Sequence, residues 1–302
     1  MTPFPRLLAG ITVGVSISES DDAPMRGFPP SEMDHVIRRI VFALLGQGAG
    51  VLFGHDWRKQ GVMETVHGFA RQMQSTDWPV QDPVPLLYNL LPWPDQPELD
   101  ENERQHLAST LVLQTEGLPR DLEEYANAAL QDRSSPLYRY FRARGLTHLR
   151  RKLTERTAAR ICLGGPRSSY AGRYPGIVEE ALIAVQYRQP LYVSGLLGGA
   201  AQQVIDAILQ VAMPDGFCSI TPLAELYQHP PGPLETDPNT LADRQLDRGA
   251  VWQSFSRLGI DGLAESNGLS NEENTELFST PSLDRVIQLV LSGLGRVTKR
   301  NN

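Results

Sequence analysis

The chain is short of cysteine, of positive charge and of long apolar runs, and each shortage excludes something. Among 302 residues there are two cysteines, Cys162 and Cys218. They stand far apart and form no Cys-x-x-Cys pair, which excludes a disulfide framework and argues against a zinc site. Lys and Arg number 28 against 35 Asp and Glu, a formal net charge of −7. Sequence-independent binding to nucleic acid needs a basic face, so no nucleic-acid partner is expected. A local basic pocket for a phosphorylated small molecule is still compatible with that balance. No run of about 18 apolar residues occurs, so no transmembrane helix and no membrane partner are expected. The opening RLLAGITVGVSIS lacks a small-x-small cleavage site. Its β-branched residues at 11, 13, 15 and 17 alternate as a first strand would, and the expected location is the cytoplasm.

The hydrophobic fraction of 41% and charged fraction of 21% are those of an ordinary globular chain. The length suits one large domain over 1–302. Apolar and β-branched runs predict strands at 10–18, 48–56, 83–91, 159–165 and 190–196. Helical periodicity appears at 32–46, 61–73, 146–158, 176–188, 198–211 and 282–295. That alternation predicts an α/β fold, a Rossmann-like doubly wound parallel sheet flanked by helices. Residues 94–137 interrupt the rhythm with acidic, helix-like runs such as ENERQHLASTLVL. They read as a helical insertion within the domain.

In such a sheet a ligand lies past the carboxyl ends of the strands, at the switch point. Four segments there are unusual. VSISES ends the first strand with Ser16 and Ser18, hydroxyls suited to phosphate or ribose. FGHDWRKQG has Gly54 for a tight turn, then Asp56 for ribose hydroxyls and Arg58 for phosphate. ICLGGPRSSYAGRYPGIVEEAL brings Gly164, Gly165, Tyr170, Arg173 and Gly176 before two adjacent carboxylates, Glu179 and Glu180. Adjacent residues point about 100° apart on a helix, so one of the two faces a pocket squarely. YVSGLLGGAAQQV supplies Gly195, Gly198 and Gly199 before a helix. It is neither G-x-G-x-x-G nor a Walker A motif, and no cofactor and no metal are expected. Arg150, Arg151, Lys152, Arg156 and Arg160 read as a basic helical region just upstream.

On these residues the chain resembles the SLOG superfamily, the Rossmann-like group of the LOG phosphoribohydrolases and of ligand-binding domains in TRPM channels and bacterial defence effectors. LOG enzymes carry P-G-G-x-G-T-x-x-E after a strand. Here GRYPGIVEE (172–180) occupies that place, with Gly176 on the third glycine and Glu180 on the glutamate. HLRRK (148–152) resembles their arginine signature, with Arg150 or Arg151 as its arginine. The leading Pro-Gly-Gly reads Gly-Arg-Tyr and the Thr reads Ile177. The resemblance implies a nucleotide-derived ligand, and these departures weigh against monophosphate hydrolysis.

Two functions from different classes follow. A sensor or signalling module would bind an ADP-ribose-, NAD- or cyclic-nucleotide-like ligand in the Gly-rich pocket. Alternatively, an N-glycosidase would cleave a nucleotide or NAD with Glu180 or Glu179 as catalytic carboxylate and Arg150 holding phosphate. A homo-oligomer or a protein partner is compatible with either.

Overall fold

A computed structural model of the chain describes residues 6–54, 62–75, 87–96, 101–108, 110–218, 226–227 and 247–301. Among these residues, six strands form one sheet: β1 (Thr12–Ser18), β2 (Gly50–Phe53), β3 (Leu87–Leu91), β4 (Leu111–Thr115), β5 (Ala159–Gly164) and β6 (Leu191–Ser194). Every pairing is parallel and the order is β4-β3-β2-β1-β5-β6. The chain moves outward from β1 to β4, then returns to the far side of β1 for β5 and β6. The order therefore reverses between β1 and β5, the place where a doubly wound sheet opens a crevice.

Helices cover both faces, as the near-continuous apolar strands require. On one face lie α1 (Pro30–Gly46), α2 (Val62–Ser75) and α10 (Leu283–Asn301). Val13 and Val15 pack there with Ile40, Leu44, Val66 and Val290. On the other lie α5 (Pro136–Glu155), α6 (Gly176–Gln186), α7 (Gly199–Ile208) and α8 (Arg248–Asn267). Cys162 and Val193 pack with Val178, Val204 and Phe255 of α6, α7 and α8, and Leu52 and Leu90 pack with Leu149 and Leu153 of α5. Each fully buried Leu, Val or Phe contributes about 1.5–3 kcal/mol. α5 starts where Ser135 accepts a hydrogen bond from the Tyr138 N–H, with Pro136 in the first turn. α8 starts on Asp247 and ends on left-handed Gly268. α9 (Asn271–Ser279) starts with a capping box between Ser270 and Glu273.

The segment 94–137 is only partly helical. ENERQHLASTLVL divides into α3 (Glu101–Leu107) and the edge strand β4, whose Leu111 to Thr115 pair with Leu87 to Leu91. The open edge of β3 takes up the backbone groups of a run whose local pattern reads as helix, a case of tertiary context overriding propensity. α4 (Ala126–Gln131) follows. The helix expected from 146 begins ten residues earlier, at Pro136.

Candidate functional site

Where the strand order reverses, Gly14 on β1 and Arg160 on β5 are register partners. A Cβ at position 14 would stand 2.7 Å from the Arg160 guanidinium carbon. The glycine thus lets the arginine lie across β1. Arg160 is 0% exposed. A buried guanidinium is costly unless paired and hydrogen-bonded; this one is paired and bonded through both Nη groups, while among the described residues its Nε has no partner. Nη1 donates to Ser16 Oγ at 3.3 Å and to Glu180 Oε2 at 3.2 Å, and Nη2 donates to Thr154 Oγ1 at 3.2 Å. The Ser16 hydroxyl also donates to Glu180 Oε2. The structure therefore corrects the expected basic helix: Arg160 is a strand residue, and Arg156 caps the end of α5 and pairs with Glu116 at 2.5 Å.

Glu179 and Glu180 diverge as the helical step requires. The Glu179 side chain is 3% exposed and turns to α5, where its Oε1 accepts from Thr147 Oγ1 at 2.5 Å and its Oε2 from Arg150. Glu180, 17% exposed, lies on the wall of a cavity of about 160 Å³. Arg150 Nε stands 3.6 Å from Glu180 Oε1. Burial works against the charge on Arg150, but Glu179 and Glu180 outweigh it and hold the guanidinium above its ordinary pKa. Among the described residues, no hydrogen-bond donor reaches Glu180 Oε1.

Six of the expected residues border this one cavity: Ser16, Ser18, Gly54, Arg150, Gly176 and Glu180. It lies past the ends of β1 and β2, and Ile37 of α1 forms part of its opposite wall. Of the two candidate arginines, Arg150 is the one on the wall. Glu179 lies behind it.

The family model described as SLOG cluster2 matches residues 7–277. The chain belongs to the SLOG family. No curated protein matches the chain. SLOG membership suggests a ligand-binding or nucleotide-related domain. Among the described residues, no helix is long and apolar enough to cross a membrane.

The remaining expected residues lie elsewhere in this SLOG domain. A Cβ on Gly164 would meet the carbonyl of Ser18, one on Gly165 the Ile177 side chain, and one on Gly199 the carbonyl of Gly165. Gly195 faces the carbonyl of Phe278, and Gly198 faces Asp22. These glycines serve close packing between the chain's own loops. Asp22, in the loop after β1, accepts from the Gly199 N–H at 2.9 Å at the start of α7 and from Arg167 Nη1 at 3.1 Å. Burial opposes ionisation of Asp22, but the Gly199 N–H and Arg167 prevail and hold its pKa below the ordinary value. Arg26 donates to the Gly195 carbonyl at 2.6 Å, and Ser20 donates to that of Leu197. Tyr170 is buried and Arg173 sits over the Tyr174 ring at 5.4 Å; neither lines the cavity. Asp56 and Arg58 lie outside the described residues.

Sequence reasoning missed the roles of Arg160, Gly14, Thr147 and Asp22. A signal existed for the first two. Arg160 is a lone charge in an apolar strand and Gly14 a lone glycine in another, which together mark a side chain crossing a neighbouring backbone. Thr147 and Asp22 have no comparable mark.

Proposed function

We propose that this SLOG domain binds a nucleotide-derived ligand of the ADP-ribose, NAD or cyclic-nucleotide kind and acts as a sensor or signalling module. The observation that carries this reading is the wall of the cavity. A carboxylate oxygen that no donor reaches among the described residues stands beside a guanidinium, hydroxyls and the start of α6. A sugar hydroxyl donates to the Glu180 oxygen, and a phosphate draws on the α6 N-terminus and Ser18. The sugar and its phosphate occupy the cavity. The base or second nucleotide extends outward past Gly54.

The same wall favours binding over two-carboxylate hydrolysis. Glycoside cleavage commonly uses a pair of carboxyl groups across the scissile bond. Here Glu179 is committed to Thr147 and Arg150, and Glu180 is the one acidic side chain lining the cavity among the described residues. A sensor of this kind passes its signal to a second copy of the chain or to a partner protein.

The test is incubation of pure protein with AMP, NAD, ADP-ribose and cyclic AMP, with bound ligand and released base read by chromatography. The expected result is intact ligand retained, with affinity lowered about tenfold or more by Glu180→Gln in a sample that circular dichroism shows to be folded. Released adenine or nicotinamide, abolished by that substitution, would make the protein an N-glycosidic hydrolase instead. No retention of any of the four would overturn the binding reading.

A further inference from the structure

The Glu179 carboxylate is the more buried of the adjacent pair, and nothing in the proposed binding uses it directly. Its two oxygens have different partners on α5, one turn apart: Thr147 on Oε1 and Arg150 on Oε2. The fourth wall of this arrangement is the loop before α6. A Cβ on Gly176 would stand 2.9 Å from Arg150 Nη2, and one on Gly172 would collide with Arg150 Nη1 and come within 3.2 Å of Glu179 Oε2. Two positions therefore hold no side chain where the guanidinium lies. Gly172 does not stand in the left-handed region and Gly176 opens a helix, so backbone conformation does not demand glycine at either place. Space for Arg150 does.

We propose that Glu179 is a positioning residue. With Thr147 it anchors Arg150 from below, while Gly172 and Gly176 leave the guanidinium its berth above, so that Arg150 stands fixed at the cavity rim beside Glu180. This rests on the cavity being the ligand site, since only there does a fixed Arg150 matter to binding. The physical gain is preorganisation. A long arginine side chain loses rotamer freedom when fixed, and here the fold has already fixed it before the ligand arrives. Glu179 also neutralises Arg150, as Glu180 pairs with Arg160. The rim then offers direction to a ligand's polar groups without a large net charge.

The experiment has two independent arms. The first needs no ligand. Arginine-labelled protein gives ¹⁵N guanidinium resonances, and loss of a signal in Arg150→Lys assigns that of Arg150. In the wild type the two Nη groups of Arg150 are expected to be resolved by hindered rotation. In Glu179→Gln and Thr147→Val they are expected to average, and in Thr147→Ser, which restores the hydroxyl, to be resolved again. Gly176→Ala is expected to shift the resonance with Glu179 intact. The second arm measures affinity for ADP-ribose and AMP. Glu179→Gln is expected to weaken whichever probe binds by about tenfold, and Thr147→Ser to leave it within twofold. An unchanged Arg150 spectrum in Glu179→Gln overturns the proposal, and so does unchanged affinity for a probe that the wild type binds. If Glu179→Gln does not fold, the Thr147→Val and Thr147→Ser pair decides by the same two readouts. If neither probe binds the wild type, the cavity reading fails for these ligands and the spectrum alone decides the positioning of Arg150.

Discussion

Arg160 shows how one residue constrains every experiment on its neighbours. Its guanidinium is fully buried, and Glu180 is its only ion-pair partner among the described residues. Removing one member of a buried pair leaves the other uncompensated, which typically costs 3–5 kcal/mol. Glu180 retains some exposure and Arg150 nearby, so Arg160→Met is expected to cost about 3 kcal/mol, read as a lower urea midpoint at unchanged slope. Glu180→Gln strands Arg160 in turn. The double variant Arg160→Met/Glu180→Gln removes both charges and leaves the Arg150–Glu179 pair in place. Its loss is expected to be smaller than the sum of the two single losses, the sign of direct coupling. Simple additivity in that cycle would mean that the two side chains do not interact. Gly14→Ala belongs to the same unit, because the new methyl falls on the guanidinium 2.7 Å away. It is expected to destabilise the wild type and to be better tolerated in Arg160→Met, where the obstruction is gone.

At the scale of elements, helix starts tie distant parts of the chain together. Glu273 closes the capping box of α9 and also pairs with Arg296 of α10, whose Nη2 donates to Oε1 at 2.8 Å. The Arg296 hydrogen bonds, then the Ser270 N–H, hold the Glu273 pKa down at about 2. A carboxylate with a depressed folded pKa adds stability that is complete above its unfolded value. That stability is lost as pH falls through the folded one. The contribution of Glu273 is therefore expected to be constant at neutral pH and to fade between about 4.5 and about 2. Thermal melts of wild type and Glu273→Gln should converge over that window; parallel curves would refute the assignment. Ser270→Ala removes the other half of the box and is expected to cost about 1 kcal/mol. Asp22 acts on α7 in the same sense, its pKa lowered by the Gly199 N–H and Arg167 against the effect of burial. Asp22→Asn is expected to destabilise the protein at neutral pH by about 1 kcal/mol. The difference from wild type should shrink below the ordinary carboxylate range. Because Asp22 joins the loops after β1, β5 and β6, its loss should also speed hydrogen exchange at the Gly199 N–H.

For the molecule as a whole, the strand–helix alternation was legible, and with it a cavity past the carboxyl ends of strands. β1, β5, α6 and α7 carry strong periodicity of their own, and Gly176 and Glu180, marked by their spacing, both line the cavity. What a sequence does not state is which atoms approach a glycine. The pairs at 164–165 and 198–199 mark close backbone contact correctly, yet the contact is with Ser18, Gly165 and Asp22 of the same chain. β4 was illegible because the edge of β3, not its own pattern, makes it a strand. α8 and α9, also unassigned from sequence, show how a cap signal such as SNEE at 270–273 is lost within a polar run. The two cysteines report on the resulting whole. Cys162 is fully buried on β5, between β1 and β6, and burial first, then Glu180, pushes its thiol far up. Cys218, after α7, is 6% exposed with φ at 47°, and burial and Glu179 push its thiol up to about 12. Neither forms a reactive thiolate while folded, so labelling of each reads the opening of its surroundings. Cys218 is expected to label through local opening at low urea, Cys162 only across the global transition. Site-resolved mass spectrometry after a short pulse of thiol reagent separates the two. Equal labelling at low urea would show that the sheet opens with its loops. A ligand in the cavity should slow Cys162 labelling in proportion to 1 + [L]/Kd, because the opening that frees this thiol also dismantles Ser16 and Glu180 beside it.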